Sequence, residues 1–438
     1  MQRKPWRCLA CSRTWGFGAA LGLIVSLAVV VSPSGWTKEP PEVLQRQPAW
    51  VPQQQLKPLV EGNTRFALNL YAQLVAQDPQ GNHFLSPFSI STALAMAAVG
   101  ARGETQAEMV HTLHLPDQAY AIFGHLLRDL RGNPAKQGFT LSTANALWAQ
   151  QGYPWRAEYK KLLQQDFGAG LFDVDFVSQP EQARNTINKW VENETREKIK
   201  ELLPQGVITP LTRAVLTNAI YFKGDWLSKF DKANTQEQPF TRLDGSQVKV
   251  PLMSQSKPKE CRYAAMPDLQ VLDLPYAGKR LSMTILLPRK HDGLPALEKQ
   301  LDAEKLKQIL GALRPDDEVR VFLPRFRLEM QEPYRLKEPL ATLGIKKAFT
   351  EREANFSGMH TGPEKLYITD VLHKAFVEIN EEGTEAAAAT AVVFRATSGR
   401  YPPPIFRADR PFLFLIRDQH TGSILFMGRV VDPSVSQK

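Results

Sequence analysis

Apolar and polar positions along the chain follow two periods, one helical and one strand-like. Apolar residues recur every three or four positions from Asn63 to Val75, which predicts an amphipathic helix. A second helix is predicted to begin after Ser86, with Ser86 as its N-cap and Pro87 at its first helical position. The body of this helix is almost entirely small or apolar, so we expect it to be buried on every side.

Strand-like segments are concentrated in the second half of the chain. Runs rich in β-branched and aromatic residues predict strands at 140–148, 214–222, 269–274, 281–287, 319–323, 375–379, 412–416 and 423–431. Further helices are predicted at 180–203 and 296–310. There is no repeat period and no internal linker after residue 60. The pattern therefore favours one large α+β domain in which distant strands share sheets.

The first 34 residues have the layout of a secretory signal. A basic stretch precedes an apolar run at 16–31, and the small residues Ser32 and Ser34 follow it. An uncleaved amino-terminal anchor is the main alternative, although the run is shorter than the roughly 20 residues that a membrane span needs. A buried core helix is a third interpretation. Both main interpretations place the remaining chain outside the cytoplasm, as a secreted or periplasmic protein or one anchored at the outer face of the membrane by residues 16–31.

Three regions follow from this division of the chain. Residues 1–34 are the signal peptide or membrane anchor. Residues 35–58 are rich in Pro and Gln and lack periodicity, which indicates a linker. Residues 59–438 form the folded domain.

Composition and charge exclude several classes of protein. The chain has 438 residues with 54 basic and 45 acidic side chains. Four of the basic ones precede residue 34, so the remaining chain has only a modest basic excess, which argues against a nucleic-acid binder. Three cysteines are too few for a disulfide scaffold. Cys8 and Cys11 belong to the basic stretch at the amino terminus, so the exported part retains Cys261 alone.

Catalytic and metal-binding motifs are missing from the sequence. It contains no nucleophile elbow, zinc-binding H-E-x-x-H helix or phosphate-binding glycine loop. His111 and His114 could share a helix face, but without cysteine or paired carboxylates nearby they are better explained as ordinary histidines. We therefore expect neither an enzyme nor a cofactor or metal requirement.

One segment, 380–394 (NEEGTEAAAATAVVF), is unusual for a folded domain. Its Glu and Ala residues favour a helix, whereas its last five residues favour a strand. A short surface helix followed by the proline-rich loop at 402–404 is one interpretation. The other is a segment that changes strand partners, with Gly383 as a flexible hinge and small alanines that can enter a sheet.

Several motifs occur together in one order along the chain. They lie at 82–91 (NHFLSPFSIS), 216–226 (LTNAIYFKGDW), 274–276 (LPY), 323–326 (LPRF), 381–390 (EEGTEAAAAT), 409–416 (DRPFLFLI) and 425–429 (LFMGR). Through these motifs the sequence resembles the serpin family from about residue 61 to residue 433. The resemblance implies a single α+β serpin domain with three β-sheets, about eight to nine helices and an exposed reactive-centre loop. Glu197 departs from the family pattern, which usually has Gly there.

The resemblance implies a serine protease inhibitor that acts as a suicide substrate. A protease cleaves the exposed loop, and the freed loop then inserts into the central sheet as a new strand. Thr384 would enter first and must be uncharged, whereas Glu385 can point outward to water. The hinge implied by the family comprises Glu381, Gly383, Thr384, Glu385, Ala386, Ala387, Ala388 and Ala389.

Two further clusters are implied by the family. Ser86, Ser89, Asn218 and His373 match its shutter, a buried polar network beneath the strands that part. Such a network can hold one arrangement of strands, because unpaired buried polar groups are costly. Trp226 and Glu381 match the breach, where insertion begins.

The reactive bond is assigned by family spacing. Counting fourteen residues beyond Gly383 places it between Thr397 and Ser398, and a small residue there indicates an elastase- or subtilisin-like target protease. Arg400 and Arg395 are the alternatives, and either would suit a trypsin-like enzyme.

Competing functions remain open at this point. A non-inhibitory serpin that acts as a binding or chaperone protein is the alternative to an inhibitor, and the alanine-rich hinge favours the inhibitor. A membrane-anchored structural protein is a third hypothesis, which could coexist with the first. The expected partner is a target protease; we expect a monomer, no nucleic acid, and membrane contact only through an uncleaved amino-terminal segment.

Overall fold

The computed structural model describes residues 53–131, 139–330, 332–384 and 402–435. Within these residues the α-helices are α1 Gln53–Gln77, α2 Pro87–Gly100, α3 Gly103–Thr112, α4 Ala119–Arg131, α5 Ala157–Phe167, α6 Pro180–Glu194, α7 Leu294–Gln300, α8 Ala303–Gly311 and α9 Lys337–Leu343. Two short 3-10 helices lie at Lys232–Asn234 and Lys347–Phe349.

The strands of the described chain are β1 His83–Leu85, β2 Phe139–Gln150, β3 Gly170–Val174, β4 Ala214–Asp225, β5 Gln236–Thr241, β6 Gln247–Ser256, β7 Arg262–Ala265, β8 Leu269–Pro275, β9 Leu281–Pro288, β10 Arg314–Pro315, β11 Arg320–Pro324, β12 Phe326–Glu329, β13 Tyr334–Arg335, β14 Leu372–His373, β15 Phe376–Ile379, β16 Gly383–Thr384, β17 Ile405–Arg407, β18 Phe412–Asp418 and β19 Ile424–Val430.

These strands form three large sheets and one small one. The six-stranded sheet has the order β12-β15-β16-β4-β2-β3, and the four-stranded sheet has the order β17-β11-β6-β5. The seven-stranded sheet has the order β1-β19-β18-β9-β8-β7-β10, and β13 pairs with β14 separately. Neighbours in these sheets come from distant parts of the sequence, which confirms the prediction of one α+β domain with three main sheets.

Helix α2 lies at the centre of the core. The Ser86 side chain caps it by accepting a hydrogen bond from the backbone N–H of Ser89 at 3.1 Å, and Pro87 occupies the first turn. Thirteen of its fourteen residues are buried. The helix packs against β4 of the six-stranded sheet and β19 of the seven-stranded sheet, so its largely apolar surface is covered from both sides.

Helix α6 packs on β2 and β4 of the six-stranded sheet. Its buried residue Ile187 belongs to a cluster with Trp148 and Phe176. The predicted helix 180–203 was too long, because α6 ends at Glu194. Beyond it the chain turns through left-handed backbone at Arg196, with φ 52°, and at Glu197, with φ 63°.

Two other boundaries differ from the predictions. The single helix expected at 296–310 is two helices, because Asp302 accepts a hydrogen bond from the backbone N–H of Lys305 at 2.7 Å and so caps a new helix, α8. Helix α1 begins at Gln53, so residues 53–58 of the predicted linker are helical. In the described part of the chain, no helix is both long and apolar enough to cross a membrane.

Candidate functional site

The shortest strand of the six-stranded sheet lies in its middle. Strand β16 is antiparallel to both neighbours: Thr384 pairs with Ile379 of β15 on one side and with Gly224 of β4 on the other. No ladder joins β15 directly to β4 among the described residues. Since adjacent strands are about 4.8 Å apart, β15 and β4 are already separated by the width of one strand at this end of the sheet.

A tight hairpin brings β16 back alongside β15. The backbone N–H of Asn380 donates to the Gly383 carbonyl at 3.0 Å, and the Asn380 side-chain oxygen accepts from the Glu382 N–H at 3.0 Å. Gly383 has φ 149°, and a Cβ at this position would lie 2.2 Å from the carbonyl oxygen of Gly224. Only glycine can therefore occupy this position without displacing β16 from β4.

Thr384 is fully enclosed by the sheet and an aromatic pair. Its side chain is 2 % exposed, and its Oγ1 lies 2.8 Å from the Tyr276 hydroxyl. The Tyr276 ring stacks on Trp226 with centroids 4.6 Å apart, and the Trp226 Nε1 donates to the Asn380 carbonyl at 3.0 Å. Burial raises the pKa of the Tyr276 hydroxyl, so the group stays neutral beside Thr384. Tyr276 was not predicted as a site residue.

Two buried glutamates anchor the hairpin through different partners. The Glu382 carboxylate lies 2.9 Å from Lys229 Nζ and 3.2 Å from Lys232 Nζ. A hydrogen bond to Glu382 raises the pKa of Lys229. The Glu381 carboxylate accepts a hydrogen bond from Thr235 Oγ1 at 2.7 Å and lies 3.7 Å from Arg325. The four partners come from the segment after β4 and from the turn between β11 and β12.

The two predicted breach residues, Trp226 and Glu381, both take part in the contact between the hairpin and the segment after β4. The Trp226 backbone N–H donates to the Glu382 carbonyl at 2.8 Å, and the Phe230 N–H donates to the Glu381 carbonyl at 2.8 Å. The segment after β4 is therefore bonded to the hairpin through both backbone and side chains.

A buried polar group lies deeper, where α2 meets β14 and β19. The Ser86 backbone N–H donates to His373 Nε2 at 3.0 Å, and the Ser86 hydroxyl donates to the Leu425 carbonyl at 2.7 Å. His373 is buried, which lowers its pKa to about 3 and keeps its ring neutral. The structure thus brings together three residues of the predicted shutter: Ser86, Ser89 and His373. The backbone of Asn218 pairs with Asn145 of β2, and its side chain lies outside the described atoms.

The network continues to residues that sequence reasoning missed. Tyr334 of β13 pairs with His373 of β14, and its hydroxyl lies 2.8 Å from His83 Nδ1. The other ring nitrogen of His83 lies 2.8 Å from the Asp78 carbonyl. Burial lowers the pKa of His83. The Tyr334 hydroxyl therefore connects His83 to the strand pair that carries His373, a contact that no local sequence pattern indicates.

Comparison with known proteins assigns the family. The family model described as serpin (serine protease inhibitor) matches residues 61–433. The leukocyte elastase inhibitor of Bos taurus is 44 % identical over 388 residues, which cover 86 % of this chain and 100 % of that protein. This chain belongs to the serpin family. An uncharacterized serpin-like protein of Thermococcus kodakarensis is 43 % identical over 384 residues, covering 86 % of this serpin and 87 % of that protein.

Solved structures agree with this assignment. The crystal structure of uncleaved ovalbumin has a TM-score of 0.76 and 31 % identity, covering 86 % of this serpin and 100 % of that chain. Because the family is defined as protease inhibitors, membership also confirms the prediction that the chain is not an enzyme.

Several predicted site residues of this serpin lie outside the described residues. They are the hinge residues Glu385, Ala386, Ala387, Ala388 and Ala389 and the reactive-bond candidates Arg395, Thr397, Ser398 and Arg400. The apolar segment 16–31 lies outside them as well. Within the described residues, no group of three or more potential ligands could hold a metal ion, and the His111 and His114 rings lie 6.3 Å apart.

Proposed function

We propose that this serpin inhibits a serine protease by inserting its cleaved loop between β15 and β4, starting from Thr384. The observation that carries the proposal is strand β16, which already holds these strands one strand width apart. A longer insert can continue the existing register, since Thr384 faces the buried side of the sheet. Ala386 and Ala388 would then face the same side, and Glu385 would face away from it.

The polar network supplies the second part of the mechanism. We assign Ser86, Ser89, Asn218 and His373 the role of a latch beneath the strands that part. A neutral His373 accepts the Ser86 N–H, and loss of that bond would leave a buried donor unpaired, which costs about 1–3 kcal/mol. The latch therefore resists sheet opening until a new strand compensates.

The target is proposed to be an elastase- or subtilisin-like protease that cleaves between Thr397 and Ser398. A small residue at the bond suits such enzymes, and the name of the bovine relative, leukocyte elastase inhibitor, agrees with this choice. Cleavage after Arg400 or Arg395 by a trypsin-like enzyme is the second candidate.

Incubation with elastase, subtilisin and trypsin tests both the mechanism and the bond. The expected product is a complex that survives denaturing electrophoresis, together with a released fragment whose mass begins at Ser398. Protease whose active-site serine has been blocked must give no such complex. A Thr397→Arg variant should gain inhibition of trypsin, whereas Arg400→Thr should change little. A fragment beginning after Arg400 would move the bond, and clean cleavage without any complex would favour a non-inhibitory binding or chaperone protein.

Export is the remaining part of the proposal. Residues 1–34 would direct the protein out of the cytoplasm, either as a cleaved signal or as an anchor at the outer face of the membrane. The intact mass of the mature protein separates the two: loss of about 34 residues indicates cleavage, and a full-length, membrane-associated chain indicates an anchor.

A further inference from the structure

The four-stranded sheet carries an exposed patch near the carboxyl end of the loop. Strand β17 begins at Ile405 and pairs in parallel with β11, so that Arg320 lies opposite Ile405 and Phe322 opposite Arg407. The intervening residues Val321 and Phe406 are fully buried. Side chains alternate between the two faces of a sheet. Arg320, Phe322, Ile405 and Arg407 therefore share the outward face, and we call them the Phe322 patch.

The patch combines apolar surface with fixed positive charge. Ile405 is 50 % exposed, although it is a large aliphatic side chain. Two guanidinium groups lie over the Phe322 ring, with Arg407 at 4.8 Å and Arg320 at 5.6 Å from its centroid. Cation–π contacts of this kind hold the arginines in place. Pre-ordered arginine and aromatic side chains lose little entropy on binding and are enriched where protein partners dock.

In the part of the chain that the structure describes, Arg407 has a carboxylate partner, whereas Arg320 does not. Arg407 lies 3.1 Å from the carboxylate of Asp409. Within the described residues, no carboxylate lies within ion-pair distance of Arg320, which is exposed. The nearby Glu318 is paired with Lys257 at 2.8 Å. Arg320 therefore gives the patch a positive charge that a carboxylate on a partner could neutralise.

The edge of β17 is closed to a further strand. Its Ile405 and Arg407 carbonyls point away from β11. The first accepts a hydrogen bond from Gln270 Nε2 at 2.9 Å, and the second accepts one from Arg410 Nη1 at 3.2 Å. An edge occupied in this way is a poor template for strand addition by a second copy of the chain. The outward face, rather than the edge, is available to a partner.

The distance along the chain identifies the partner. Ile405 lies seven residues beyond Ser398, and seven extended residues span at most about 25 Å. A globular domain of about 250 residues has a diameter of roughly 45 Å. A protease bound at the reactive bond therefore extends about 22 Å to each side of its cleft. This radius is close to the longest distance that seven residues can span, so the rim of the protease can meet β17 and β11.

We propose that the Phe322 patch is a second docking site for the target protease, and that it contacts carboxylates next to an apolar side chain on the rim of that enzyme. This inference rests on the proposed function, because it takes the occupant to be the protease that cleaves the loop. Charges at an interface rim act mainly on the association rate and its salt dependence. The patch should therefore select among proteases with similar active sites according to the charge of their surfaces.

The test uses two forms of one protease that differ in surface charge. Native subtilisin and subtilisin succinylated on its lysines are each calibrated by active-site titration. Their second-order rate constants are then measured with the full-length serpin at low and high ionic strength. At low ionic strength the unchanged serpin should react about threefold to tenfold faster with the succinylated form. Salt of about 1 M should remove most of the difference.

Two variants separate the effect of a charge in the Phe322 patch from the effect of the net charge of the protein. Arg320→Glu should abolish the preference for succinylated subtilisin. Lys307→Glu is the matched control, because it makes the same change in net charge at an exposed residue of α8, outside the four-stranded sheet. This control should keep the preference. Equal melting temperatures of the two variants show that neither has lost its fold.

The possible outcomes separate the two proposals. If Arg320→Glu has no effect, or if both variants lose the preference equally, the docking site is refuted. A change in oligomeric state of Arg320→Glu without any change in rate would assign the patch to a second copy of the chain. If the loop is cleaved without a covalent complex, the proposed function fails, but the rate of loop cleavage still reports docking through the same comparison.

Discussion

Arginine in place of Thr384 should convert this serpin from an inhibitor into a substrate. The Thr384 side chain is 2 % exposed and bonded to Tyr276, so an arginine there cannot reach water without displacing β16. Burying an unpaired charge costs several kcal/mol even after relaxation. A penalty of about 3 kcal/mol on entry of this residue would slow insertion roughly 150-fold.

Slower insertion increases the number of serpin molecules that are consumed for each protease molecule inhibited. The number of serpin molecules used per protease is one plus the ratio of acyl-bond hydrolysis to insertion. If insertion outruns hydrolysis about tenfold in the unchanged chain, a 150-fold slowing raises this number from about 1.1 to about 16. Titration of subtilisin or elastase with Thr384→Arg, with denaturing gels to separate complex from cleaved serpin, measures it directly.

A matched variant separates charge from size. Thr384→Val keeps the volume and loses only the hydroxyl bonded to Tyr276, so it should form complex nearly as well as the unchanged chain. If Thr384→Arg consumes no more serpin per protease than Thr384→Val does, burial of an uncharged residue at position 384 is not required for the loop to insert.

Three further changes test other parts of the account. Because burial lowers the pKa of His373 from 6.5 to about 3, the unfolded chain binds a proton at a higher pH than the folded chain does, so the protein should lose stability as the pH falls from about 6.5 to about 3. The loss is on the order of 5 kcal/mol, at about 1.4 kcal/mol for each pH unit; urea unfolding of His373→Asn should show a flatter pH dependence over that window. Glu197 holds a left-handed backbone with φ 63°, so Glu197→Gly should raise the free energy of unfolding by up to about 1 kcal/mol; no gain in a denaturant titration would mean that the surrounding turn relaxes. Gly383→Ala places a Cβ 2.2 Å from the Gly224 carbonyl, which should expel β16 and lower the yield of complex, whereas an unchanged yield would show that the hairpin shifts freely.

Much of the fold could be predicted because single strands and caps have local signals. The Ser86-Pro87 cap, the buried body of α2 and most long strands follow from composition and period alone. The error in α6 is instructive. Ile199 and Leu202 continue the helical spacing and are buried with Val191, yet they lie in irregular backbone after the left-handed turn. The spacing of these apolar residues predicted their burial correctly and their helical structure wrongly. Hydrophobic periodicity follows burial, and a buried residue need not be helical.

The site was only partly predictable because its contacts are long-range. Family motifs singled out Thr384, Trp226 and His373, but not the groups that hold them. Tyr276 is 108 residues from Thr384 along the chain, and Tyr334 is 251 residues from His83. The position of β16 between β15 and β4 likewise depends on pairing across the whole domain. Contacts of this kind leave no pattern within a short window of sequence.

The melting temperature before and after loop cleavage tests the central claim most directly. An inserted strand that gains about ten hydrogen bonds, at a net 1 kcal/mol each, adds about 10 kcal/mol to the free energy of unfolding. For a chain of this length that gain corresponds to a rise of roughly 10–20 °C. Serpin cleaved in its loop by subtilisin should show this rise over intact serpin. Cleaved and intact protein that melt at the same temperature would contradict insertion between β15 and β4.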